Sequence, residues 1–141
     1  MKFSAAVVDT NVVVAGLLTG RADSPTARIL DGMRNGAFPF LLSSALLAEY
    51  REVLLRPRIG KLHGLKEREI DEMLTSIATH AIVREPKLRT GAPDAKDNHL
   101  WSLIQSVPGA ILVTGDLALI DSPPPRSTVL RPAEFVDSLT E

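Results

Sequence analysis

Five short apolar runs, separated by stretches with helical periodicity, leave this chain few ways to fold. Phe3 to Val8, Phe38 to Leu42, Ala81 to Val83, Ala110 to Val113 and Thr128 to Leu130 read as buried strands, because they are short, mainly apolar and bounded by turn signals. Helix signals lie between them. Asn11 can cap an apolar helix from Val12 to Leu18, and Ser24-Pro25 places an N-cap before a first-turn proline, with Ala27, Leu30 and Met33 on one face up to Asn35. Ser43-Ser44 caps a helix from Ala45 to about Leu55, stopped by Pro57, on which Leu47, Tyr50 and Leu54 form a core stripe. Lys66 to His80 is amphipathic, with Ile70, Met73, Leu74 and Ile77 on one face. Residues Arg84 to Ala95 form a loop that delivers Lys96-Asp97-Asn98 to a helix ended by Pro108-Gly109, and Pro132 to Leu139 closes the chain as a helix. Strands alternating with helices in this way predict an α/β fold with a parallel sheet covered by helices on both faces.

One domain over residues 1–141 is the expected organisation, since the chain is long enough for one ordinary core and too short for two. Cysteine is absent, which excludes disulfides and thiolate metal sites, and three scattered histidines make no cluster of their own. No segment has the length of an apolar membrane span or a signal-peptide core, so the expected location is the cytoplasm. The net charge of −1 excludes nucleic-acid binding by bulk charge. Its distribution is uneven: between Arg51 and Arg68, six basic residues face two acidic ones. Arg51, Arg56, Arg58 and Lys61 are the candidate phosphate contacts there, set against the plain alternative of a solvated helix face.

Ligands of open parallel sheets bind outside the carboxyl ends of the strands. Asp9 and Asp116 each follow a predicted strand directly, Asp97 opens a helix, and Glu49 lies between Leu46 and Val53 at the margin of an apolar face. Each Asp also has a structural reading as a cap or turn residue. Together on one rim, four carboxylates repel one another and favour either protons or a cation. Oxygen donors alone suit Mg²⁺ or Mn²⁺, and such an ion suits phosphodiester hydrolysis. Asp94, three residues before Asp97, is a second candidate for the same ligand position.

In order along the chain stand Val-Val-Asp9-Thr10-Asn11-Val, then Leu-Ser-Ser44-Ala-Leu-Leu-Ala-Glu49-Tyr with Leu-Leu-Arg56-Pro57 behind it. Asp94-Ala-Lys-Asp97-Asn98, Leu-Val-Thr114-Gly115-Asp116 and Arg-Pro132-Ala-Glu-Phe135 follow. This succession resembles PIN-domain ribonucleases, and more narrowly the toxin component of prokaryotic toxin–antitoxin modules. The resemblance implies a three-layer sandwich with a central parallel sheet and a Mg²⁺- or Mn²⁺-dependent endoribonuclease site. The family's acids fall on Asp9, Glu49, Asp97 and Asp116, and its supporting polar positions on Thr10, Asn11 and Thr114. A homodimer and a small antitoxin partner are implied in the same way.

The sequence departs from that pattern where Asn98-His99 follow Asp97, where Trp101 replaces a smaller residue, and where Leu117-Ala118-Leu119 follow Asp116 without basic residues. His99 reads as a surface or capping histidine and Trp101 as core. Two other functions compete with the ribonuclease. Asp9 can serve as the nucleophile of a phosphohydrolase, although such enzymes usually carry a second Asp where this chain has Asn11. A PIN-like domain can also bind RNA or a partner without cutting, which the retention of all four acids argues against.

Overall fold

Ala6, Val7 and Val8 point alternately to opposite sides of the sheet, yet each is at most 1% exposed. A strand buried on both faces needs a layer on each. The computed structural model describes residues 2–140, and its elements run β1 (Ala6–Val8), α1 (Thr10–Leu18), α2 (Pro25–Asn35), β2 (Leu41–Leu42), α3 (Ser44–Leu54), α4 (Pro57–His63), α5 (Glu67–His80) and β3 (Ile82–Val83). A 3₁₀ turn (Ala95–Asp97) then leads to α6 (Asn98–Gln105), β4 (Ile111–Val113), α7 (Leu117–Asp121), β5 (Thr128–Leu130) and α8 (Pro132–Leu139). All strand pairs are parallel. Val7 pairs with Leu112 and Leu112 with Val129, while Leu41 pairs with Ile82. A parallel bridge between Ala6 and Phe40 joins the two halves, giving the spatial order β3-β2-β1-β4-β5. The order reverses between β1 and β4, which is where an open parallel sheet leaves a crevice. The predicted α/β architecture with a central parallel sheet flanked by helices is the one observed.

Several boundaries differ from the sequence reading. Helix α1 begins at Thr10 rather than Val12, because Asp9 and not Asn11 is its N-cap, accepting a bond from the Thr10 N–H. The second strand shrinks to Leu41–Leu42, with Phe40 making only the bridge to β1. Pro57 does not simply stop α3; it stands in the first turn of α4, a helix the sequence reading passed over. The signal was present, since Arg56-Pro57 repeats the proline-first pattern of Ser24-Pro25, and Gly64 closes the helix in the left-handed conformation at φ 68°.

Packing then fixes the elements that matter for the site. Leu46, Tyr50 and Leu54 are fully buried, and each contributes roughly 1.5–3 kcal/mol toward holding α3 in place. Leu47, expected in that stripe, is only half-buried, so the core face is turned toward Leu46. The Tyr50 hydroxyl donates to the Val8 carbonyl, tying α3 to the end of β1. Gly16 lets α1 and α2 approach: a Cβ there would sit 2.5 Å from the Thr26 carbonyl oxygen. Beneath the sheet Phe135 of α8 packs edge-on against Phe38 at 5.0 Å between ring centres.

Candidate active site

Asp9 ends β1 and caps α1, so strand and helix together set its position. It is 6% exposed, and a buried carboxylate must be met by donors or lose its charge. Three donors meet it. Oδ1 accepts from the Thr10 N–H at 2.8 Å, while Oδ2 accepts from Thr114 Oγ1 at 2.8 Å and Asn11 Nδ2 at 3.2 Å. With about two lone pairs per carboxylate oxygen, one on Oδ1 stays open to a ligand. Burial still pushes the Asp9 carboxyl up from its ordinary value, with the Thr114 bond opposing it and the charges of Glu49 and Asp116 adding to it.

Thr114, fully buried at the end of β4, is the hub. Besides donating to Asp9, its hydroxyl accepts from the Asp116 N–H at 3.0 Å and from Asn11 Nδ2 at 3.4 Å. Asn11 Oδ1 in turn accepts from the Gly115 N–H at 3.2 Å. The loops after β1 and β4 are thereby stitched together across the crevice. Asp116 caps α7, its Oδ1 accepting from the Ala118 N–H at 2.9 Å.

Asp97 sits at the junction of the 3₁₀ turn and α6 without using its side chain as a cap. Its carboxyl is pushed up to about 6, first by burial and then by the charges of Asp9, Asp94, Asp116 and Glu49. Asp94 is committed elsewhere: it is exposed and its Oδ1 accepts from the Lys96 N–H at 2.9 Å, capping the turn. Of the two alternatives for one ligand position, Asp97 faces the cleft and Asp94 supports the turn that delivers it.

Asp9, Asp97 and Asp116 line one open cleft of ≈ 510 Å³, whose opposite wall is Val14 and Leu18 of α1 with Val53 of α3. Glu49 stands at its margin. The Thr10 hydroxyl donates to Glu49 Oε2, and His99 Nε2 lies 3.2 Å from Oε1. The contact with His99, more than any other cause, holds the Glu49 carboxyl below its ordinary value. The reading of His99 as a surface or capping residue is therefore corrected: its side chain is 17% exposed and engages the acid across the site. The sequence carried one clue, a glutamate flanked by Leu46 and Val53 with no local partner; its partner lay 50 residues away. Trp101, by contrast, is core as expected.

Among the described residues, no three His, Asp or Glu side chains converge closely enough to hold a metal ion by themselves. The donor chemistry nevertheless fits a hard divalent cation. Two of the acids are held up by desolvation, and a positive charge between them removes that penalty. Mg²⁺ commonly keeps waters and uses one or two carboxylates with substrate phosphate, so a closed protein cage is not required.

The basic segment is less free than its sequence suggested. Arg51 is engaged by Asp71 and Glu67, each at 2.8 Å, and Arg56 by Glu52 at 3.1 Å. Arg58 and Lys61 are exposed on α4 and make no ion pair among the described residues. Helix α4 packs on α1, which lines the cleft.

A family profile described as "PIN domain" matches residues 5–118, a span that contains every carboxylate of the cleft. The chain belongs to the PIN-domain family. Among solved structures, the PIN domain of RRP44 from T. brucei is similar with a TM-score of 0.53 at 12% identity, covering 96% of this chain and 80% of that one. At that identity the likeness shows the fold. No curated protein matches significantly. Membership of the PIN-domain family points to a nuclease-type function and, through the habits of that family, to divalent metals. No helix among the described residues is long and apolar enough to cross a membrane.

Proposed function

We propose that this PIN domain is a metal-dependent endoribonuclease that hydrolyses RNA phosphodiesters, with Asp9, Glu49, Asp97 and Asp116 as its catalytic acids. The observation that carries the reading is Asp9: a buried carboxylate at the strand-order reversal, held by three donors that leave a lone pair on Oδ1 unused, and lining one cleft with Asp97 and Asp116. Asp9, Asp97 and Asp116, with waters and substrate phosphate completing the shell, would hold Mg²⁺ or Mn²⁺, which would supply Lewis-acid polarisation of the phosphoryl oxygens and activation of water. The chain's own part is positioning. Thr114, Asn11 and the Thr10 N–H orient Asp9, while Thr10 Oγ1 and His99 orient Glu49, the kind of support that tunes an acid's reach and basicity. Val14, Leu18 and Val53 give the cleft an apolar wall that limits water on one side. Arg58 and Lys61 supply phosphate attraction without base specificity. The alternative in which Asp9 attacks phosphorus itself is disfavoured because Asn11 stands where such enzymes usually carry a second Asp.

The family resemblance extends this reading to the toxin of a toxin–antitoxin module, acting in the cytoplasm as a homodimer and silenced by a small protein partner. The test is cleavage of RNA by the purified protein with Mg²⁺ or Mn²⁺, its arrest by EDTA, and its loss in Asp9→Asn with the fold checked by circular dichroism. Cleavage by Asp9→Asn at the wild-type rate refutes the site. Growth arrest on expression, relieved by the product of an adjacent short reading frame, tests the toxin role separately.

A further inference from the structure

At the amino ends of β4 and β5, on the rim opposite the acids, a second cleft of ≈ 450 Å³ carries the reverse charge. Arg89, Arg126, Gln105 and Ser127 line it together with the apolar Ile104 and Val107, and among the described residues no carboxylate borders it. Neither arginine makes an ion pair among the described residues. Two arginines lining one concavity, both solvent-exposed and without an ion-pair partner, favour an anion there.

Both arginines are placed rather than merely present. The Arg89 N–H donates to Ser102 Oγ at 2.7 Å, pinning that part of the loop to α6, and its guanidinium reaches Gln105. Arg126 occupies the third position of a turn in which the Ser127 N–H donates to the Pro124 carbonyl at 3.1 Å. A matching turn, Val107 to Ala110, introduces β4, with the Ala110 N–H on the Val107 carbonyl at 3.2 Å. Each turn has proline second and a left-handed residue third, the type II pattern that calls for glycine. The β4 turn uses Gly109 at φ 79°; the β5 turn uses Arg126 at φ 62°, the only non-glycine residue with positive φ among the described residues. An arginine in a glycine position breaks a local rule, and such breaks gather where a side chain is needed.

We propose that this cleft is an oxyanion site that takes a phosphate group, held by the forks of Arg89 and Arg126 with Gln105 and Ser127 as neutral donors. The phosphate belongs either to an RNA backbone running past the rim opposite the acids or to a free small anion. The site stands independently of the ribonuclease reading.

Backbone and side-chain amide shifts of ¹⁵N-labelled full-length protein in EDTA read occupancy directly, with inorganic phosphate, a short oligoribonucleotide and acetate as the three probes. Phosphate is expected to shift Ser127 and the Gln105 side-chain amide, with affinity weakened roughly tenfold in Arg126→Gly and again in Arg89→Gln, because each removes a charge-assisted contact. Glycine relieves the turn, so Arg126→Gly keeps the wild-type melting temperature or exceeds it, and lost binding is not lost folding. Matching shifts from the oligoribonucleotide assign the phosphate to RNA, and shifts from inorganic phosphate alone assign it to a free anion; both support the site. Absent shifts, equal affinity for acetate, or phosphate affinity unchanged in both variants overturns it.

Discussion

Thr114→Val removes one hydroxyl from the hub of the acidic cleft while keeping the side-chain volume. The residue is fully buried, donates to Asp9 Oδ2 and accepts from the Asp116 N–H and Asn11 Nδ2. A hydrogen bond to an ionised carboxylate is worth about 1.5–3 kcal/mol, and depriving the Asp116 N–H of its acceptor adds up to about 1 kcal/mol. The methyl that replaces the hydroxyl returns about 0.8 kcal/mol. A net loss of about 1–3 kcal/mol follows, a sizeable fraction of the stability of a domain this size. Because the Thr114 bond opposes the upward push of burial on Asp9, the variant's Asp9 titrates higher still. The deficit is therefore greatest where Asp9 is ionised in the wild-type fold and shrinks as the pH falls and the carboxyl takes a proton. Urea denaturation of the metal-free proteins at pH 7 and pH 4, with unchanged m-values, measures the first effect; ¹³C carboxyl titration measures the second. A loss below about 0.5 kcal/mol together with an unmoved Asp9 titration would refute the claim that Thr114 holds this carboxylate.

The acids themselves make the metal-free protein sensitive to pH. The folded-state values of Asp97, about 6, and of Asp9 are raised, so the folded chain binds their protons more tightly than the unfolded chain. For Asp97 that stabilisation is complete below the ordinary value of 3.8 and is lost as pH rises through about 6; Asp9 contributes in the same direction. Asp97→Asn is thus expected to melt higher than wild type at pH 7 but not at pH 4 while losing RNA cleavage, and a lower melting temperature at pH 7 would contradict the repulsive site. Excess Mn²⁺ should raise the wild-type melting temperature at pH 7 and do little for the variant. Replacing His99 by alanine removes the partner of Glu49 Oε1 and leaves only the Thr10 bond to Oε2, and a drop of roughly 10–100-fold in Mn²⁺ affinity or cleavage is expected for loss of such support; isothermal titration calorimetry with a normal circular dichroism spectrum separates this from misfolding. Tyr50→Phe leaves the buried Val8 carbonyl without its donor and should lower stability by about 1 kcal/mol, read as a shifted urea midpoint.

Much of the fold was legible because backbone preferences act locally. The proline-first helix at Ser24-Pro25, the stripe Ile70, Met73, Leu74 and Ile77, and the valines of β1 each announce an element without reference to distant residues. The start of α1 and the existence of α4 were missed through competing local signals: Asn11 is as good a cap as Asp9 on paper, and Pro57 both ends one helix and begins the next. At the site, the positions of Asp9 and Asp116 after strands were readable, since a parallel sheet places strand ends on one rim. Asp94 and Asp97 were not separable, because only the path of the 3₁₀ turn decides which faces the cleft.

By itself, then, the order of apolar runs determined a parallel α/β sheet and set acids at the carboxyl ends of its strands. Tertiary structure alone decided their partners. Thr114 reaches Asp9 across 105 residues and His99 reaches Glu49 across 50, contacts that no local pattern encodes because chain folding brings the groups together. The same holds for charge. Arg51 looked available in the sequence and is taken by Asp71 and Glu67, whereas Arg89 and Arg126, unremarked there, meet at one cleft. Electrostatic energy depends on distance in space, and distance in space is what a linear sequence leaves open.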